Sequence, residues 1–276
     1  MASGSKEHRM VFDIRGRRKI AVKVVYAVLA VLMGLSLFLV VGPLNIGEIF
    51  NSNSGSVEAA KPFEEQAERL EVKLRKEPEN EQLLQALARA QVLGGNSLLS
   101  QEPSEDDLLK ALQQYQQASS TWSEYLKATD EPSAGTAQLM VTPLILLAER
   151  GSRSYPEVQR NLEAAVEAQQ IVAKQRPTLN SFSVLARYTY FTGDFAAAEK
   201  AQAKAKQKTS AKAEAKELDK QMKEAREAAE KFQKERKKAE QAEKAAGKAN
   251  KGNPESLKNP TNALNGTFGS GTGLTE

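Results

Sequence analysis

The chain has 276 residues, no cysteine, a single histidine (His8) and a formal charge of +4. Without thiols there are no structural disulfides, thiolate metal sites or cysteine nucleophiles, and downstream of His8 there is no histidine to serve as a base or metal ligand. The charge is uneven, +4 over 1–56, −6 over 57–195, +7 over 196–251 and −1 over 252–276, so an acidic segment precedes a basic one and the basic isoelectric point is no mark of a nucleic-acid domain.

Residues 1–19 are short, basic and polar and read as a cytoplasmic tip against anionic headgroups. Residues 20–41 carry one charge, Lys23, in an otherwise apolar run. A bilayer core takes about 20 helical residues, so the run predicts a transmembrane helix. A buried helix and a cleaved leader compete with that reading. The length without a polar face disfavours the first, and Gly42-Pro43-Leu44-Asn45 makes a poor cleavage site for the second. Six basic residues precede Ile20 and the next basic residue after the run is Lys61. The positive-inside rule then predicts a single-pass cell-membrane protein with its C-terminal domain extracytoplasmic.

Residues 42–56, with Asn51-Ser52-Asn53-Ser54-Gly55-Ser56, read as a flexible linker. Phe63, Ala67, Leu70 and Leu74 then recur at helical spacing until Pro78. Asn80 is a candidate cap for a helix carrying Leu83, Leu84, Leu87, Ala88 and Val92, with Gly94-Gly95 as its stop. Ser104 and Asp107 resemble a capping box opening a helix with Leu108, Leu112, Tyr115, Trp122 and Tyr125. The stretch Ala137 to Ala148 is apolar all round and predicts a central helix that Pro143 kinks or starts. A helix from about Pro156 to Lys174 follows, then a pair broken at Gly193. Nothing alternates at period two, so the fold class is all-α.

The last pair is the most informative. Phe182, Leu185, Ala186, Gly193, Phe195, Ala198 and Ala205 resemble a tetratricopeptide repeat, in which small residues let two helices approach, glycine permits the turn and an aromatic fills the gap to the next repeat. Leu84, Leu87, Ala88 and Gly95 echo the same spacing, and Pro78 and Pro177 stand where the family's boundary proline stands. The middle unit departs from the pattern, with Pro143 in a leucine position and a turn lengthened by Ser152 to Tyr155. An ordinary helical bundle is the competing reading. The resemblance covers 57–208 and implies a short solenoid of helical hairpins.

Residues 209–250 are rich in alanine, lysine and glutamate, strong helix formers that predict one long helix continuing the last repeat helix. Ala211, Ala215, Leu218, Met222, Ala225, Ala229 and Phe232 step as a heptad seam. The seam is mostly alanine, which favours a solvated single helix over a coiled coil. The tail, 251–276, reads as disordered; Asn265-Gly266-Thr267 matches a glycosylation acceptor.

No catalytic constellation, cofactor motif or phosphate loop stands out, and no enzyme activity is expected. The resemblance implies a scaffold or adaptor that binds a protein or peptide partner on the face lined by the first helix of each pair, near export or envelope-assembly machinery. Gln82, Gln85, Arg89 and Val92 in one helix, and Asn180, Ser183, Arg187 and Tyr190 in the other, are the residues placed on that face. Arg89 and Arg187 fall at equivalent positions, suited to bidentate contacts with a carboxylate. The alternative is a structural tether whose basic helix and tail contact anionic cell-envelope polymer.

Overall fold

The structure, a computed structural model, describes the backbone of residues 56–99 and 103–249 and the side chains of 58–99 and 103–241. The expectations for the basic tip, the 20–41 span, the linker up to residue 55 and the 251–276 tail lie outside the described residues. All regular structure within them is helical, and none is strand. One expectation is corrected: none of the described helices is long and apolar enough to cross a membrane. The most apolar, Ala134–Leu146, has 13 residues, about 20 Å against a bilayer core of about 30 Å. The longest, Lys212–Ala249, is charged along its length. The transmembrane helix, the single-pass topology and the extracytoplasmic location are therefore not carried forward.

The helices begin where the sequence offers a side-chain oxygen to the first free amides. Helix α1 spans Ser56–Leu74. Helix α2, Glu81–Leu98, is capped by Asn80, whose Oδ1 accepts from the Leu83 amide at 3.1 Å. It does not stop at Gly94-Gly95 but continues for three more residues. The reason lies in a neighbour: Gly95 faces the ring of Tyr115, and a Cβ there would lie 2.8 Å from ring carbon Cδ1. The glycine is a packing notch within a helix, not a terminator. Helix α3, Glu105–Ala128, opens on the expected capping box, with Ser104 and Asp107 bonded reciprocally at 3.1 Å. Helix α4, Ala134–Leu146, contains Pro143 and runs into a π-helical turn, Leu147–Gly151, closed by a bond from Ser152 Oγ to the Leu147 carbonyl at 2.9 Å. Helix α5 is Tyr155–Gln175, capped by Ser154. Helix α6, Leu179–Thr192, starts at a Thr178–Ser181 capping box and ends at Gly193, whose φ of 91° is left-handed. That conformation costs a residue with a Cβ roughly 1–2 kcal/mol. Helix α7 is Phe195–Lys206, and α8 is Lys212–Ala249.

Short connections bring consecutive helices together, and the closest packing is within α1–α2, α2–α3, α4–α5 and α6–α7. One apolar cluster runs through the hairpins, from Leu84 and Val92 on α2 through Trp122, Met140, Leu144 and Leu162 to Tyr190 and Phe191 on α6. Ala186 and Ala198 have no exposed surface, which is where two helices touch.

The expectation of one long solvated rod is also corrected. The helix breaks at residues 207–211, and α8 returns to pack on α6 and α7. Leu218, Met222, Ala225, Ala229 and Phe232, the residues that read as a coiled-coil seam, join the main core. Phe232 sits between Tyr155 and Phe191, with ring centroids 6.1 and 6.4 Å away. Gln233 donates to the Phe191 carbonyl at 2.7 Å and lies over Gly193. The seam is real, but its partner is this chain's own last hairpin.

Candidate partner-binding cleft

The residues placed on the first-helix face separate into two groups. Gln82 and Arg89 on α2 and Asn180 on α6 are exposed, and Arg187 is half-buried. Gln85 is already engaged: its Nε2 donates to Thr136 Oγ1 at 2.8 Å and ties α2 to α4. Three placements are corrected. Val92 is 0% exposed and belongs to the core. Tyr190 is 2% exposed, because α7 covers it: its hydroxyl donates to Gln202 Oε1 at 3.0 Å and its ring lies 5.8 Å from that of Phe195. Ser183 is buried, its hydroxyl turned onto the Asn180 carbonyl at 2.9 Å. None of these can line an open groove. Arg89 and Arg187 are not brought together either, since α2 packs on α1, α3 and α4, whereas α6 packs on α5, α7 and α8. Beside Arg187, burial raises the pKa of the Tyr188 hydroxyl; the Arg187 charge opposes the rise and Glu149 adds to it.

A cleft of about 460 Å³ opens elsewhere, between α3, α5 and the π-helical turn. From α3 come Gln116, Ser119, Ser120, Trp122, Ser123 and Leu126; from α5 come Glu157, Arg160, Asn161, Ala164 and Glu167. The steps of three and four place each set on one helix face. The side chains at 119, 120, 123 and 164 that face the cleft are small and leave it unfilled. Helices α3 and α5 each pack on the π-helical turn and not closely on each other, so the gap between them stays open above it.

Its polar groups fall into two classes. Asn161 Nδ2 donates to Ser152 Oγ at 3.0 Å, and Glu157 Oε2 accepts from the Arg153 amide at 2.7 Å, so both are held in place by the loop after the π-helical turn. Gln116, Ser119, Ser120, Ser123, Arg160 and Glu167 make no side-chain hydrogen bond or ion pair among the described residues. At the wall, Trp122 is 2% exposed and its ring packs 5.3 Å from that of Tyr125. Its indole N–H is buried without an acceptor. Among the described residues, no group of histidine, cysteine, aspartate and glutamate side chains could hold a metal ion.

Sequence reasoning missed this cleft because it followed the apolar periodicity of α3 and made no reading of Gln116, Ser119, Ser120 and Ser123 beside that stripe. One signal was available. Three serines within five residues of a helix interior are unfavourable by propensity, since serine competes for backbone bonds.

In comparison with known proteins, no family model, no curated protein and no solved structure matches the chain. The tetratricopeptide resemblance thus rests on the residues quoted for it, and the site has to be read from its own chemistry.

Proposed function

We propose that the helical domain is a docking scaffold for a partner protein, which it holds by an extended, basic peptide segment laid in the cleft between α3 and α5. The observation that carries this reading is the unfilled hydrogen-bonding capacity of the cleft. Glutamine and serine side chains offer donors and acceptors, and an extended backbone presents both along each edge. Trp122, Leu126 and Ala164 supply apolar contact beneath that polar rim. Glu157 and Glu167 outnumber Arg160, in a segment, 57–195, that carries a charge of −6; both favour lysine or arginine on the partner. The order of hairpins α2–α3, α4–α5 and α6–α7 supports a repeat-like scaffold, in which a binding surface is built by stacking similar units.

The test is selection of peptides from a random library on the full chain, followed by calorimetry with the enriched sequences. Ser123 is exposed, so Ser123→Arg adds bulk and positive charge to the cleft without touching the core. Enriched peptides should be basic, and Ser123→Arg should weaken them at least about tenfold. The Arg89→Ala, Arg187→Ala double variant is the comparison. Loss of binding there, with Ser123→Arg unaffected, would move the site to the first-helix face and refute the cleft.

A further inference from the structure

We propose that α8 is an exchangeable element, and that two copies of this chain form a dimer in which each α8 docks on α6 and α7 of the other. The inference rests on the hinge and the seam, and is independent of what occupies the cleft.

The hinge, residues 207–211, reads Gln-Lys-Thr-Ser-Ala. It contains neither glycine nor proline, and none occurs from Phe195 until Gly247. Local propensity therefore favours one continuous helix through the break, with only Thr209 and Ser210 below the best helix formers. What holds the hairpin closed is specific. The first amides of the hinge bond back into α7, Lys208 to the Ala205 carbonyl at 2.9 Å and Thr209 to the Lys206 carbonyl at 3.4 Å. Thr209 Oγ1 then accepts from the Ala211 amide at 3.2 Å and donates to Glu214. This side chain starts α8 in its new direction.

Beyond the hinge, the contacts that hold α8 lie on one face and are made to the last hairpin and to α5. Leu218, Met222, Ala225, Ala229 and Phe232 are buried. Across the junction Lys206 pairs with Asp219, lowering the Asp219 pKa chiefly through that hydrogen bond, and Arg226 pairs with Glu199 at 2.7 Å. Arg236 reaches Gln159 Oε1 on α5 at 2.7 Å. Every one of these contacts can be made by the α8 of a second copy without change. Straightening the hinge would fuse α7 and α8 into a helix on the order of 80 Å long. Such a helix reaches past its own hairpin and must leave the α6–α7 surface to another α8. The exchange keeps all docked contacts and gains helical hydrogen bonds in two hinges, against the loss of the Thr209 turn bonds in each and of translational freedom. A closed interface that recurs in trans is the condition for domain swapping.

The experiment uses the full chain, whose lack of cysteine makes introduced ones unique. Light scattering with size exclusion gives the dimer dissociation constant of three proteins: wild type, Thr209→Ala with Ser210→Ala, and Thr209→Gly with Ser210→Gly. Alanine at 209 and 210 removes the Thr209 turn bonds and raises the helix propensity of the hinge, so the alanine hinge should dimerise at least about tenfold more tightly. The glycine hinge, which opposes a continuous helix, should dimerise more weakly than wild type. Which face is used is read by mixing one copy carrying Glu199→Cys with another carrying Arg226→Cys and adding a short bismaleimide. A covalent dimer joining the two different variants is expected. If the alanine hinge disturbs folding, the same mixture with the wild-type hinge at high concentration reads the exchange. An alanine hinge that stays monomeric, or a dimer in which 199 and 226 of different chains never link, would overturn the proposal.

Discussion

Two adjacent glycines in α2 should respond to alanine with opposite signs. Both are buried, and the only left-handed glycine among the described residues is Gly193, so neither Gly94 nor Gly95 needs the backbone freedom of glycine. Alanine in a helix interior gains about 1 kcal/mol over glycine. At Gly94 the added Cβ would meet Phe63 Cβ at 3.5 Å, an ordinary contact, so the full gain should appear. At Gly95 the Cβ would press on Tyr115, 2.8 Å from Cδ1 and 3.0 Å from Cζ. That ring is 2% exposed and its hydroxyl donates to Asn96 Oδ1 at 2.7 Å, so it has nowhere to swing. Overpacking costs about 1–3 kcal/mol, and disturbing the tyrosine bond adds about 1 kcal/mol. Against the helical gain, Gly95→Ala should destabilise by about 2 kcal/mol. For a domain of this size the melting temperature should rise by about 2–4 °C in Gly94→Ala and fall by about 4–8 °C in Gly95→Ala. Far-ultraviolet dichroism during heating and urea titration measures both. If both variants lose stability, the glycines end the helix as the glycine pair alone suggests, and the notch against Tyr115 is wrong.

Tyr115 also makes a pH prediction. Burial pushes its pKa up to about 12, so the unfolded chain loses this proton first, near the ordinary value of about 10. The stability contributed is whole below pH 10 and is lost as pH rises from about 10 to 12. Tyr115→Phe should flatten that fall in urea midpoints measured across the window; an unchanged slope would reject the assignment. Ala186, with no exposed surface, should not accept a larger side chain: Ala186→Leu is expected to cost about 1–3 kcal/mol, and an unaltered melting curve would mean that α6 is not packed as described. Phe232→Ala removes the ring between Tyr155 and Phe191 and should cost about 3–5 kcal/mol. Faster hydrogen exchange should be concentrated in 212–241, and exchange that rose equally in α2 would show that α8 is not a separable element.

The starts of α2 and α3 and the turn at Gly193 were legible in the chain because capping is local. Asn80, Ser104 with Asp107, and the left-handed Gly193 act on amides and carbonyls within four residues, so a short window contains the whole cause. The all-α class and the apolar faces were legible for the same reason. Four features were decided only by tertiary contact. Gly95 reads as a helix stop until Tyr115, 20 residues on, is seen to need its missing Cβ. The 196–250 run reads as one helix because its propensity is unbroken, yet α8 folds back where Leu218, Met222 and Phe232 find α6 and α7. Burial of that seam outweighs the few tenths of a kcal/mol per residue by which propensity favours continuing. The cleft depends on α3 and α5, about 40 residues apart in sequence, both packing on the π-helical turn, and Tyr190 and Ser183 leave the candidate surface because of what packs on α6. Periodicity assigns a side chain to a face of its helix. Whether that face meets solvent, a cleft or another helix depends on residues far along the chain, and only the assembled fold brings them within reach.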